Sequence, residues 1–371
     1  MNKNNQNRGG MRTKSRSVSR YVTSSVINNV EKSSIAIVCA ILVLALVTVA
    51  FFTVFAEDFS LPAWITASKR DPITNNPDRK TPYATVTDKT NFVASGMGVF
   101  LSNYGLDSDY AILVRLSDMS AVAQKNEDMY IYPASMTKVM TVITALDLIE
   151  DLDDVYVVTK KVLNTVPSGA STASLSIFLD EGYNTVTVRD LLYGISYRSG
   201  ADAVLCLIDY FGLTVDEFVD LMNSKADEIG LKNTLFGGAI GMDDEENQTT
   251  CRDVAALMAY AMENPLAREL FSGGKHSLDL IEGYSYYHST MDTLLTNMGT
   301  TPQRVLGDNY TILAAKSGLE TNAGYCLVSY IKNDKTGELF VLVTAHAEKA
   351  EWPYAQNPIH DMKKVFDAVK P

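Results

Sequence analysis

An uninterrupted apolar run near the amino terminus is the most pronounced pattern in the chain. Residues 35–56 read IAIVCAILVLALVTVAFFTVFA, 22 positions without a charged side chain. A membrane-spanning helix needs about 20 such residues, and a helix on the surface of a soluble domain would carry a polar stripe that is missing here. The pattern predicts a transmembrane anchor over 34–56. The alternative is a cleaved signal peptide, whose apolar core is usually shorter, about 7–15 residues.

The charges on either side of this run predict its orientation. Seven Lys or Arg residues and one Glu lie within residues 1–33, whereas Glu57 and Asp58 follow the run. Because positively charged flanks stay in the cytoplasm, we expect 1–33 to be a cytoplasmic basic tail. The chain would then be a single-pass protein of the cell membrane, with everything after the anchor outside the cytosol. Residues 57–90 contain four prolines and many polar residues, which is typical of a flexible linker.

Residues 91–371 show the periodicities of a folded domain. Runs of β-branched and apolar residues predict strands at 110–116, 121–123, 312–316, 324–331 and 339–346. Helical spacing of apolar positions, together with capping residues, predicts helices at 133–146, 190–195, 201–210, 214–229, 250–263 and 359–369. Strands at both ends and helices in the middle predict an α+β domain, in which a largely antiparallel sheet is flanked by helices.

Composition and charge exclude several classes of protein. Of the 371 residues, 46% are hydrophobic, so the chain can bury a core and is not expected to be disordered. The net charge of −12 argues against a nucleic-acid partner, which would need a basic surface. No Cys-x-x-Cys pair and no closely spaced histidines occur, so we expect no metal site. The acidic run at 243–246 is interpreted as a solvated loop. Whether the three cysteines outside the anchor include one disulfide stays open.

A serine three residues before a lysine opens the helix predicted at 133–146. The spacing of Ser135 and Lys138 places both side chains on one helix face. A serine hydroxyl becomes a useful nucleophile when a neighbouring base accepts its proton, and a lysine is such a base only when uncharged. The apolar neighbours Met136 and Val139 predict burial of Lys138, which lowers the pKa of a lysine. The alternative is an ordinary helix start whose lysine reaches solvent.

Two further short motifs are candidates for the same site. Ser199 lies in the break between two predicted helices, where its hydroxyl can face a cleft. Its alternative role is a helix cap or turn, the commoner use of serine there. Lys316, Ser317 and Gly318 are expected at the end of a strand, where Gly318 would let a ligand approach the backbone. The alternative role of Lys316 is protection of a strand edge.

The order of these motifs, and the sequence around them, resembles the serine D-alanyl-D-alanine carboxypeptidases. These are low-molecular-mass penicillin-binding proteins with a β-lactamase/transpeptidase-like fold. Their signature is Ser-x-x-Lys, then Ser-x-Asn, then Lys-Thr/Ser-Gly. It is accompanied here by YPASMTKVMT (132–141), TVTVRDLLYGISYRSGADA (185–203), NSKADEIGLKNTLF (223–236) and AAKSGLETNAGYCLV (314–328).

The resemblance implies catalytic roles for four residues. Ser135 would be the acyl-ester nucleophile and Lys138 its general base. Ser199 would relay a proton toward the leaving group. Lys316 would help to keep Lys138 neutral through repulsion between like charges.

The resemblance also implies how a substrate would be bound. Lys316 and Ser317 would hold the terminal carboxylate of the substrate. The backbone N–H groups of Ser135 and of Leu319, the residue after Gly318, would form an oxyanion hole.

The implied substrates are peptidoglycan stem peptides, from which the terminal D-alanine is removed without a cofactor. β-Lactam antibiotics would be covalent inhibitors of Ser135. Ala201 stands where the family usually has asparagine, so one hydrogen bond to the substrate amide is missing. Two alternatives therefore stay open: a β-lactamase or esterase of the same superfamily, and a catalytically weakened envelope protein that binds wall peptides.

Overall fold

The structure is a computed structural model that describes residues 93–176, 184–242, 245–277, 285–288, 306, 309–348 and 357–369. These residues all belong to one of the two compact units of the chain, Ala67–Pro371. The predicted cytoplasmic tail, anchor and linker lie outside the described residues, as do positions 243–244 of the acidic run. In the described part of the chain, no helix has both the length and the apolar character needed to cross a membrane.

The predicted strands and helices occur in the predicted order, together with further short elements that the sequence patterns did not predict. The strands are β1 (Val93–Phe100), β2 (Ser108–Arg115), β3 (Ser120–Lys125), β4 (Tyr130–Ile131), β5 (Val155–Val157), β6 (Thr185–Thr187), β7 (Thr249–Thr250), β8 (Lys275–Ser277), β9 (Ser285–His288), β10 (Tyr310–Glu320), β11 (Gly324–Asn333) and β12 (Leu339–Ala347). The helices are α1 (Thr137–Leu146), α2 (Lys160–Leu163), α3 (Val188–Arg198), α4 (Ala201–Tyr210), α5 (Val215–Ile229), α6 (Cys251–Ala261), α7 (Pro265–Phe271) and α8 (Asn357–Ala368). Short 3-10 turns cover Leu101–Asn103 and Ala134–Met136.

A six-stranded sheet organises the domain in the order β1-β3-β2-β12-β11-β10. All neighbours are antiparallel except β1 and β3, so the predicted α+β class with a largely antiparallel sheet is confirmed. Ile112 and Val114 of β2 face the larger core cluster, whereas Ala111 and Leu113 face the smaller one. The alternation follows from the two-residue period of a strand whose two faces are both covered.

Helices cover the two faces unequally. The larger cluster packs one face of the sheet against the helices from the middle of the chain, and the smaller cluster packs the other face against α8. Helix α1 contacts α3, α5 and α6 and is buried from Thr137 to Ala145. The predicted helix at 133–146 therefore forms the buried centre of the domain.

Capping residues delimit the helices as the sequence predicts. Thr214 and Glu217 form a capping box at the start of α5, and Gly230 ends this helix with a φ of 87°. A left-handed residue is readily supplied by glycine, which has no Cβ. Thr250 accepts a hydrogen bond from the backbone N–H of Asp253 at the start of α6.

One helix was not predicted, and one strand boundary is wrong. The predicted helix at 250–263 ends before Asn264, and α7 follows directly, because Asn264 caps this helix and Pro265 occupies its first turn. Strand β10 continues to Glu320, so Lys316, Ser317 and Gly318 lie inside the strand instead of at its end. β10 is an edge strand, and its glycine faces the chain around Ser135 instead of ending the sheet pairing.

Candidate active site

Ser135 and Lys138 meet at the amino-terminal end of α1. Ser135 belongs to the 3-10 turn before the helix, and Lys138 lies in its first turn. The Nζ atom of Lys138 lies 3.1 Å from Oγ of Ser135 and donates to it. Lys138 is 2% exposed, whereas Ser135 is half-buried. The predicted shared face and the predicted burial of the lysine are both confirmed.

A loop from the middle of the chain holds the amine in place. Lys138 Nζ also donates to the backbone carbonyl of Ile240 at 2.6 Å. The loop is fixed to α1 one turn further on, where Thr141 Oγ1 donates to the carbonyl of Ala239 at 2.6 Å. Sequence reasoning missed Ile240, since a backbone carbonyl leaves no side-chain signal. The sequence offered one weak signal, the glycine at position 241. Glycine often marks a backbone position with positive φ, and Gly241 has a φ of 72°.

Burial makes Lys138 suitable as a base. Loss of solvent is the largest effect and lowers its pKa to about 7, while the charges of Glu320 and Asp202 act in the opposite direction. A neutral amine has a lone pair that can accept the proton of a serine hydroxyl. Near neutral pH, a substantial fraction of Lys138 is therefore uncharged.

A second lysine–serine pair forms beside the first. Lys316 Nζ donates to Oγ of Ser199 at 3.0 Å and to the carbonyl of Ser317 at 2.7 Å. Ser199 ends α3 in a left-handed conformation with φ of 54°. Burial first, and the charge of Lys138 second, hold the pKa of Lys316 well below its ordinary value. Burial is therefore the largest cause of the lowered pKa at both lysines, and repulsion between the two amines adds to it at Lys316.

Strand β10 brings both pairs into one site. A carbon added at Gly318 would lie 2.9 Å from Cβ of Ala134 and 3.0 Å from the backbone nitrogen of Ser135. Real Cβ atoms hardly ever approach so closely, so this position requires glycine. The strand that carries Lys316 therefore runs in contact with the backbone of the nucleophile.

The remaining predicted residues lie on the same structure. Ser317 is half-buried on β10, next to Lys316, and Leu319 has 44% of its surface exposed. Ala201 is buried at the first position of α4. Their roles toward a substrate stay predictions.

The three described cysteines remain reduced thiols. Cys206, Cys251 and Cys326 are all buried thiols and none forms a disulfide with another, which answers the open question. Within the ranges that the structure describes, no group of three or more His, Cys, Asp or Glu side chains could hold a metal ion.

Comparison with known proteins gives the same family over most of the domain. A family model described as D-alanyl-D-alanine carboxypeptidase (Peptidase_S11) matches residues 100–347. The D-alanyl-D-alanine carboxypeptidase DacF of Bacillus subtilis is 28% identical over 239 residues, which cover 64% of this chain and 58% of DacF. DacA of Escherichia coli is 29% identical over 236 residues, which cover 60% of this chain and 53% of DacA. The chain thus spans a little over half the length of these relatives.

Solved structures share the fold. The crystal structure of the Streptomyces K15 DD-transpeptidase superposes with a TM-score of 0.57 at 23% identity, covering 71% of this chain and 97% of that protein. Penicillin-binding protein D2 of Listeria monocytogenes, solved in a cefotaxime-bound form, gives 0.57 at 21% identity, covering 71% and 97%. The family match spans well over half of the sequence and includes both lysine–serine pairs, so this chain belongs to the D-alanyl-D-alanine carboxypeptidase family of serine peptidases.

Proposed function

We propose that this chain is a serine D,D-carboxypeptidase that removes the terminal D-alanine from peptidoglycan stem peptides. The observation that carries the proposal is the buried Lys138 amine, 3.1 Å from the hydroxyl of a half-buried serine. Family membership supports the substrate class, because the curated relatives are D-alanyl-D-alanine carboxypeptidases.

Acylation begins with proton transfer to Lys138. Its neutral amine accepts the hydroxyl proton of Ser135 as Oγ bonds to the carbonyl carbon of the penultimate D-alanine. The hydrogen bond to the Ile240 carbonyl keeps the amine oriented during this transfer. Negative charge on the carbonyl oxygen is stabilised by the backbone N–H groups of Ser135 and Leu319, each such donor being worth about 10²–10³ in rate.

Ser199 and Lys316 serve the leaving group. The bond to the terminal D-alanine breaks as its nitrogen receives, through the Ser199 hydroxyl, the proton that Lys138 took from Ser135, and Lys138 returns to its neutral form. Lys316 holds the Ser199 hydroxyl at 3.0 Å. Water then attacks the ester and gives one proton to Lys138, which passes it to Oγ of Ser135 as the ester bond breaks. No cofactor is required for either half of the reaction.

The terminal carboxylate of the substrate is bound at β10. Lys316 contributes positive charge when protonated, and Ser317 contributes a hydroxyl on a half-buried position of the strand. The contact that asparagine makes in other members is absent at Ala201, so we expect weaker binding of the substrate amide.

The proposed location is the outer side of a cell membrane. Support comes from the apolar run at 35–56 and its charged flanks, which orient the domain away from the cytosol. β-Lactam antibiotics would acylate Ser135 as substrate mimics. The cefotaxime-bound form of the Listeria monocytogenes protein supports this expectation.

Labelling with a fluorescent penicillin tests the assignment. The purified full-length chain is expected to form a covalent adduct, and Ser135→Ala is expected to form none. Ser272→Ala is the matched control, because Ser272 also precedes a lysine by three residues but lies at the end of α7, and its hydroxyl bonds the carbonyl of Glu269. An unlabelled wild type, or a labelled Ser135→Ala, would refute the assignment. Fast release of hydrolysed penicillin would indicate a β-lactamase instead.

The rate of acylation should depend on pH through Lys138. Its amine must be uncharged to accept a proton, and its pKa is lowered to about 7. We therefore expect the rate to fall about tenfold per pH unit well below 7 and to level off above it. Labelling rates measured between pH 5 and 10 would show the fall in rate below pH 7. A rate that keeps rising up to pH 10 would contradict it, because it would mean an ordinary lysine.

A further inference from the structure

Asp202 is a buried carboxylate beside the site, and the proposed reaction gives it no role. It is the second residue of α4 and is 2% exposed. One oxygen accepts the backbone N–H of Ala173 at 2.6 Å, and the other accepts that of Leu175 at 3.0 Å. Burial raises the pKa of Asp202, while these N–H groups favour its charged form. The Asp202 carboxylate is therefore buried at a cost in desolvation free energy, and its two hydrogen bonds hold the backbone of residues 173–175.

The two hydrogen bonds enclose a strained residue. Ser174 lies between Ala173 and Leu175 and has a φ of 68°. A residue other than glycine is strained in this conformation and persists there only where its surroundings enforce it. Asp202 holds both neighbours of Ser174 and therefore enforces this conformation.

Residues 171–175, the segment that contains Ser174, pack directly against Ser199–Ala201. The backbone N–H of Ala201 donates to the carbonyl of Ser171 at 2.8 Å. A carbon added at Gly200 would lie 2.8 Å from Cβ of Ala173, so the two backbones are in contact. The segment therefore borders the site next to Ala201, where the family's asparagine side chain is missing.

Asp202 also acts on the base through its charge. Its carboxylate raises the pKa of Lys138, as Glu320 does from β10. Lys316, also on β10, is the other charged group that is coupled to Lys138. If the charge of Asp202 were removed, the pKa of Lys138 would fall, because only the charge of Glu320 would still raise it.

We propose that Asp202 is a positioning residue of this active site, which holds segment 171–175 against Ser199–Ala201 as the wall that a substrate meets there. The inference rests on the proposed function, because it makes segment 171–175 one wall of the cleft that binds the substrate peptide.

The variant Asp202→Asn tests the inference in the full-length chain. An asparagine oxygen can accept one of the two N–H groups, but its NH₂ group cannot accept the other. For release of D-alanine from a tripeptide ending in D-Ala-D-Ala, we expect KM to rise about two- to tenfold, the cost of one lost hydrogen bond. The acid limb of kcat/KM should also move to lower pH, because a charge that raises the pKa of Lys138 is gone.

Asp361→Asn is the matched control. Asp361 is also buried and also accepts two backbone N–H groups, those of Asp107 and Ser108 at 2.8 and 2.7 Å. It lies on α8, in the layer on the opposite side of the sheet. Its variant should lose thermal stability without a change in KM or in the pH profile.

A second variant separates the effect of the segment's conformation on substrate binding from the effect of the Asp202 charge on the pKa of Lys138. Ser174→Val places a β-branched residue at a positive φ, which it strongly disfavours, and leaves Asp202 ionised. We expect its KM to rise while the acid limb stays in place. Wild-type KM in both variants, or an Asp202→Asn that behaves like Asp361→Asn, would overturn the inference. A wild type that penicillin does not label would instead overturn the proposed function, and the inference with it.

Discussion

Replacing Lys138 with methionine is expected to slow acylation of Ser135 by about 10²–10⁴-fold, the usual contribution of a general base. Methionine has a similar length and no charge, so it suits a position that is 2% exposed. Burial of the Lys138 amine lowers the free energy of unfolding through its desolvation, and methionine removes this penalty. The folded state should therefore survive while the proton acceptor for the serine hydroxyl is lost.

The measurement is the rate of labelling by fluorescent penicillin, together with the thermal midpoint of unfolding. Lys225→Met is the control, because Lys225 is a mostly buried lysine on α5 whose amine pairs with Asp147 and Glu228. It should label at the wild-type rate. If Lys138→Met labelled within about threefold of wild type at an unchanged midpoint, Lys138 could not be the base.

Gly241→Ala is expected to cause the largest structural loss. A carbon added at Gly241 would lie 2.1 Å from the carbonyl oxygen of Ala134, the residue before the nucleophile. This partner is backbone and cannot rotate away, so the loop carrying Ile240 or the turn carrying Ser135 must move. Either shift breaks the 2.6 Å contact that holds Lys138 or displaces its serine. We expect both labelling and stability to fall.

Gly212→Ala is the control that distinguishes the close contact between position 241 and Ala134 from the strain of a positive φ. Gly212 has a similar φ of 68°, but nothing lies within 4 Å of an added carbon. Strain alone should lower the free energy of unfolding by about 1–3 kcal/mol in this control, without affecting labelling. Denaturant unfolding of both variants would measure the difference. Equal losses in the two variants would mean that the contact at Ala134 carries no cost.

Local patterns in the chain determined most of the elements. The capping residues Thr214 and Thr250 begin their helices as predicted, and Gly230 ends α5. Such signals are readable because a cap acts over three or four residues of contiguous chain. The strand β1 was missed, since the two glycines in VASGMGVF weaken a strand pattern. Its pairing with β3 is a contact between separate parts of the chain.

The candidate catalytic residues were also predictable individually. Ser135 and Lys138 are one helical turn apart, so their contact follows from helix geometry. The apolar neighbours of Lys138 indicated its burial, and burial is the main cause of its low pKa. The chemistry of the first pair was therefore present in a single short stretch of consecutive residues.

Only the tertiary structure decided how the site is assembled. Lys316 reaches Ser199 across 117 positions of chain, and the carbonyl of Ile240 reaches Lys138 across 102. Asp202 holds Ala173 across 29 positions through a backbone N–H group, which every non-proline residue has. The sequence by itself determined which side chains could act, because reactivity and helix periodicity are local properties. Their common position was decided by packing and by backbone hydrogen bonds between distant segments, which residue identity alone does not encode.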